Sequence, residues 1–166
     1  MVIAKKVVCV GFRDIGKSTM LQSLARNTPT HVYQNTVGVD LVSIISGQHK
    51  LQVWDASGSK SYDGIVVQYL NCADVVILCY TDSSIVSMEE AHGYWRKKFL
   101  SKPHIVINIS RNNLPVMTAL QSEPTCLGGI TYTENNIALA KAQLFALMFP
   151  DEAPTKQPPQ LCCTIV

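Results

Sequence analysis

Charge is scarce in this 166-residue chain: Asp, Glu, Lys and Arg make up 16% of it, and the formal net charge is only +2. No basic stripe is present, which argues against nucleic acid as a partner, because a phosphate backbone is gripped by clustered Lys and Arg. Long apolar runs are missing too. None approaches the ~20 residues that cross a bilayer, and Lys5 and Lys6 interrupt the stretch MVIAKKVVCV before it can serve as a signal-peptide core. The six cysteines show no C-x-x-C spacing, and His31, His49, His92 and His104 are scattered, so no Cys or His metal site is expected. Four of the cysteines fall in apolar or strand-like stretches, which fits a reduced, cytosolic setting. The composition does not shift before about residue 150, so one domain is expected, with an apolar content of 47% to fill its core.

What is present begins with GFRDIGKST at 11–19, between the apolar run VVCV at 7–10 and the amphipathic run MLQSLA at 20–25. Strand, glycine loop and helix in this order give the spacing a mechanism. Gly11 and Gly16 let backbone N–H groups close around phosphate oxygens, Lys17 carries an ammonium to the β- and γ-phosphates, and Ser18 offers a hydroxyl to Mg²⁺.

Residues 2–10 read as a strand buried on both faces, followed by a helix to about Asn27. VGVDLVSIIS at 37–46 and KLQVW at 50–54, separated by GQH, predict a hairpin. Beyond it the pattern predicts a helix at about 62–71, a strand at 73–80, a helix at 86–100, a strand at 104–109 and a short strand within 125–132. A closing helix is expected within 133–149, N-capped by Thr133 and facing inward through Ile137, Ala140, Leu144 and Leu147 or Met148. Strands alternating with helices imply an α/β fold, a mostly parallel doubly wound sheet with helices on both faces. Such sheets bind ligands at the carboxyl ends of their strands, where GFRDIGKS, WDASG at 54–58 and SRNN at 110–113 all fall.

With those loops placed, residues 1–149 resemble the small G domain of the Ras-like GTPases, a P-loop NTPase fold, and within that group most resemble a Rab. NTVGVDL at 35–41, LQVWDASG at 51–58, QYLNCAD at 68–74 and ILCYTD at 77–82 are collinear with the family's switch I, switch II and following strand. The resemblance implies GTP or GDP and Mg²⁺ as cofactors. The nucleotide would be held by Gly11, Asp14, Ile15, Gly16, Lys17, Ser18 and Thr19, by Thr36 and Gly58 of the switches, and by Arg111 and Asn113 near the base. Ser18, Thr36 and Asp55 would hold the metal, since hydroxyl and carboxylate oxygens suit a hard cation. A residue without Cβ suits Gly58, where backbone meets phosphate.

The departures from the family pattern group by function. The glutamine that orients the attacking water is replaced by Ser59, which is too short for the task. Arg13 stands where the loop normally has a small residue, so no catalytic residue is assigned and slow turnover is expected. The family's N-K-x-D falls on Ser110, Arg111, Asn112 and Asn113, which puts an amide where a carboxylate pairs with guanine. That loses a charge-assisted bond of roughly 1.5–3 kcal/mol and favours a xanthine nucleotide, or none, as the alternative; Asn108 is the substitute if the loop aligns differently. The stacking aromatic falls on Pro29 and the S-A-K motif on Ile130, Thr131 and Tyr132. The segment from Asn113 to Ile130 is several residues short, so the helix usual there shrinks to a turn or two around 115–121.

Leu41, Trp54 and Tyr69 match the Rab hydrophobic triad that meets effectors and regulators, or else are core aromatics at element ends. Arg96, Lys97 and Lys98 read as the solvated end of a helix, favoured by its dipole. Residues 150–166 are Pro-rich and form a linker that reaches about 50 Å. It ends in CCTIV, which has the C-a-a-X form, so Cys163 would be prenylated and Cys162 would carry a second lipid. The implied protein is a lipid-anchored switch in vesicle traffic, on the cytoplasmic face of membranes and cycling with the cytosol. Its rival is a pseudo-GTPase scaffold.

Overall fold

Val7–Val10 and Val75–Tyr80 are unbroken apolar runs, the pattern of strands covered on both faces, and in the computed structural model both are fully buried at the centre of one six-stranded sheet. The structure describes residues 2–31, 35–82, 91–99, 101–116, 121 and 123–150, with backbone alone at 91 and 92. The strands are β1 (Ile3–Val10), β2 (Val39–Ser46), β3 (His49–Ala56), β4 (Val75–Tyr80), β5 (His104–Ile109) and β6 (Cys126–Tyr132), in the order β2-β3-β1-β4-β5-β6. Only β2 runs antiparallel, as half of a tight hairpin turned by Gly47 in a left-handed conformation.

Alternation along β1 feeds two cores. Val7 and Cys9 join α1 (Lys17–Arg26) and α4 (Ile137–Met148), through Met20, Leu21, Leu24, Leu144 and Met148. Val8 and Val10 face α2 (Asp63–Cys72), a single π-helical turn Ala91–Trp95 and the short α3 (Arg96–Phe99) that follows it, through Val66, Leu70, Trp95 and Phe99. The doubly wound, mostly parallel sheet is therefore as expected.

Three local readings are corrected. The first half of β1 is largely exposed, with Lys5 reaching the Met148 carbonyl at the end of α4. Thr133 does not cap the last helix. Asn136 occupies that position, and the Thr133 N–H instead donates to Asn136 Oδ1 at 2.8 Å, so the chain makes a turn before the helix begins. Arg96 and Lys98 are not simply solvated: Arg96 pairs with Glu123 and reaches Thr125 Oγ1 at 3.0 Å, while Lys98 meets Asp63 at 2.6 Å. Lys97 alone stays exposed. Of the helix read at 86–100, residues 86–90 and 100 lie outside the described residues, as do 117–120 of the turn read around 115–121 and the tail 151–166 with Cys162 and Cys163.

Candidate functional site: a phosphate-and-metal cleft

All parallel strands end at one edge of the sheet, so the loops that follow them meet there. They enclose a cavity of about 920 Å³, lined by the loop Arg13–Thr19, by Asn35, Thr36 and Val37, by Ser57, Gly58 and Ser59, and by Ser110, Arg111 and Tyr132–Asn135 on the far side. Gly16 has φ 92 and ψ 17, a conformation glycine adopts freely, and it starts α1 without a side-chain cap. The first-turn N–H groups therefore point into the cleft without side-chain caps, the arrangement that binds anions. Gly11 lies behind the loop, where a Cβ would sit 2.5 Å from the Cys79 carbonyl oxygen.

Lys17 is 6% exposed and its ammonium is held by the Phe12 carbonyl at 2.7 Å, arched over the loop. Ser18 Oγ lies 2.8 Å from Thr36 Oγ1, and Thr36 donates to Asp55 Oδ2 at 3.3 Å. Asp55 is 2% exposed, and its other oxygen, Oδ1, has no hydrogen-bond partner. Burial raises its carboxyl pKa, while Ser18, Lys17 and Thr36 pull it back. Three hard oxygens with one buried acceptor in need of a partner fit a small divalent cation such as Mg²⁺. No group of three His, Cys, Asp or Glu suited to a metal occurs among the described residues, so such an ion would rely on hydroxyls and phosphate oxygens.

Gly58 presses on the phosphate loop, where any Cβ would overlap the backbone of Phe12 and Arg13. Arg13 and Asp14 line the cleft with their side chains 63% and 60% exposed, Nε and Oδ2 3.6 Å apart. Arg13 thus lies at the mouth of the cleft, and Asp14 holds a left-handed φ of 62. Ser59 lines the cleft as well.

Residues 6–112 match the family model described as the Roc (Ras of Complex) domain of DAPkinase. The chain belongs to the Ras-like small GTPases. This G domain is similar to the Ras-related protein RabQ of Dictyostelium discoideum, 28% identical over 112 residues, which cover 64% of this chain and 55% of that one. It is also similar to the Ras-related protein Rab7 of Pisum sativum, 25% identical over 150 residues, covering 79% and 72%. With Rab-36 of Mus musculus it shares 31% identity over 88 residues, covering 51% and 33%. The chain therefore spans about half of RabQ and a third of Rab-36.

The expected nucleotide residues of this G domain divide in two. Asp14 to Thr19, Thr36, Gly58 and Arg111 line one cleft, whereas Gly11, Asn113 and Pro29 are not among the residues that line it. Ser110 organises the loop after β5: its Oγ accepts from the N–H groups of Asn112 at 3.1 Å and Leu114 at 3.0 Å and donates to Asp82. The loop is wound tightly enough that Asn113 takes a left-handed φ of 57. Asn108 holds the same loop, its Nδ2 donating to the Leu114 carbonyl at 2.9 Å, while its buried Oδ1 has no hydrogen-bond partner. The S-A-K positions divide likewise. Ile130 and Thr131 lie inside β6 and do not line the cleft, whereas Tyr132, the last residue of that strand, does, followed by Thr133 to Asn135.

Sequence reasoning missed an aromatic clasp. Phe12, inside the phosphate loop, packs on Tyr94 and Trp95 with ring centroids 5.7 and 6.4 Å away. Tyr94 donates to Asp63 at the start of α2, and Lys98 binds the same carboxylate while lying 4.3 Å from the Tyr94 ring centroid. A bulky aromatic among the polar and small residues of the loop was the visible hint. Nearby, Trp54 and Tyr69 meet edge-on at 5.3 Å, Leu41 pairs with Trp54 across the hairpin, and Leu41 is 59% exposed, so the triad forms one surface cluster.

Proposed function

We propose that the chain is a Rab-like switch that binds GTP or GDP with Mg²⁺ and hydrolyses slowly. The meeting of Lys17, Ser18, Thr36, Asp55 and Gly58 around one end of the cleft carries this reading. The first-turn N–H groups and Lys17 would bind the phosphates, and Mg²⁺ held by Ser18, Thr36 and Asp55 would neutralise charge on the β- and γ-oxygens. Ser59 cannot reach an attacking water as a glutamine would, and Arg13 at the cleft mouth hinders its approach; both support slow turnover. Lipids on Cys162 and Cys163 would bring the domain to the cytoplasmic face of membranes, between excursions into the cytosol, where Leu41, Trp54 and Tyr69 would meet effectors and regulators of vesicle traffic.

A second reading, a membrane-bound scaffold that holds nucleotide weakly, draws on Asp14: a carboxylate in the loop opposes phosphate. Denaturing the purified protein and identifying the released nucleotide by chromatography decides between them. Stoichiometric GDP or GTP is expected, and none would leave the scaffold. Intact mass from a eukaryotic host should show both cysteines modified; two free thiols would refute the anchor. The xanthine alternative loses its geometric support, because Asn113 lies outside the cleft lining.

A further inference from the structure

We propose that Glu134 is the residue that reads the purine, selecting guanine through its carboxylate. The inference rests on the nucleotide reading above. A nucleotide held by its phosphates at the Gly16–Ser18 end of the cleft extends its base toward the other end, where Ser110, Arg111 and the loop after β6 form the wall. Among the described residues two carboxylates line the cleft, Asp14 in the glycine loop and Glu134 at that far wall.

The loop that carries Glu134 is held in place. Thr133 N–H donates to Asn136 Oδ1 at 2.8 Å, Asn136 N–H returns to the Thr133 carbonyl at 3.2 Å, and Asn136 Nδ2 donates to the Thr131 carbonyl at 2.9 Å. Ser110 N–H donates to the Tyr132 carbonyl at 2.9 Å, which ties this turn to the loop after β5 on the same wall of the cleft. Glu134 and Asn135 are the two central residues of the turn, and both are exposed to an incoming ligand.

The chemistry of a carboxylate then sets the preference. Its two oxygens match the adjacent N1–H and 2-amino donors of guanine in a bidentate, charge-assisted pair. Adenine offers a lone pair at N1, and xanthine offers a carbonyl in place of the amino group; each meets the carboxylate with repulsion. Hypoxanthine keeps N1–H and loses the second donor.

Calorimetric titration with GDP, IDP, XDP and ADP tests this on the full chain and on E134A and E134Q. The unmodified chain is expected to prefer GDP over IDP, and E134A to lose roughly 10- to 100-fold in GDP affinity, with a much smaller loss for IDP, so that the GDP-to-IDP preference collapses. E134Q, which keeps the reach and one acceptor, should fall between. Because Glu134 is exposed, an unchanged Tm is expected and separates lost recognition from lost folding. GDP binding with the same GDP-to-IDP ratio in E134A would overturn this assignment alone. Failure of the unmodified chain to bind any guanine nucleotide would overturn the nucleotide reading and this assignment with it.

Discussion

Ser18 Oγ and Thr36 Oγ1 stand 2.8 Å apart, although one belongs to the first turn of α1 and the other to the loop before β2. Their closeness brings switch I onto the phosphate loop beside the buried Asp55 carboxylate. If Mg²⁺ is what this arrangement serves, Thr36→Ala should weaken the Mg²⁺-dependent part of triphosphate binding by about tenfold or more, the worth of one charge-assisted contact. Titrations with Mg²⁺ and with chelator measure the difference. An equal Mg²⁺ gain in both proteins would exclude Thr36 from the site.

Asp14 gives a prediction of opposite sign. Its left-handed φ of 62 is one that Asp tolerates and Gly adopts freely, and any gain from Gly is offset by the added freedom of the unfolded chain. Asp14→Gly should therefore leave the urea midpoint nearly unchanged, within about 0.5 kcal/mol. It should tighten GDP binding by removing a carboxylate that lines the cleft, and titration of both proteins with GDP measures the gain.

Gly58 is constrained by space rather than by dihedral angle. Adding a methyl drives it into the backbone of Phe12 and Arg13, which cannot rotate away as a flexible side chain would. Gly58→Ala should cost about 1–3 kcal/mol or push switch II off the phosphate loop. Denaturant midpoints and nucleotide affinity together distinguish these outcomes, and a variant equal to the unmodified chain in both would refute the contact.

The clasp between Asp63, Tyr94 and Lys98 predicts a response to alkaline pH. Lys98 is partly desolvated, which lowers its pKa, but its bonds to Asp63 and Tyr94 outweigh this and leave it above the ordinary 10.5. Burial and the Asp63 bond raise the Tyr94 hydroxyl above its ordinary 10.0. Both groups hold their protons more tightly folded than unfolded, so their contribution is complete below those ordinary values and is lost as pH rises through the raised ones. Thermal melts followed by Trp fluorescence between pH 9 and 11, with Trp95 beside the clasp, should show that loss. Lys98→Met should lower stability at pH 9 and flatten the slope.

The glycine loop at one end of the cleft was legible in the sequence because its residues are neighbours in the chain. Gly11, Gly16, Lys17 and Ser18 occur within eight positions, and strand and helix signals flank them. Thr36, Asp55 and Gly58 could be placed only by resemblance, since the contacts that join them are side chain against side chain across three loops. The loops at the far end of the cleft were less legible. Counting residues put the base-side contacts at Arg111 and Asn113 and the S-A-K position at Ile130 to Tyr132; of these Arg111 and Tyr132 line the cleft, while the Ser110 hydroxyl winds the loop that carries Asn113 and the Asn136 side chain builds the turn that holds Glu134. The Phe12 clasp escaped for a similar reason, because its partners lie some eighty residues further along the chain.

By itself, then, the sequence determined the alternation of buried strands and amphipathic helices, the phosphate loop and the hairpin, all of which follow from periodicity and local backbone preference. The tertiary structure decided which polar side chains face the cleft and which hold the loops around it. That choice depends on hydrogen bonds between segments distant in the chain, such as Ser110 with Asp82 and Lys98 with Asp63, which no local pattern encodes.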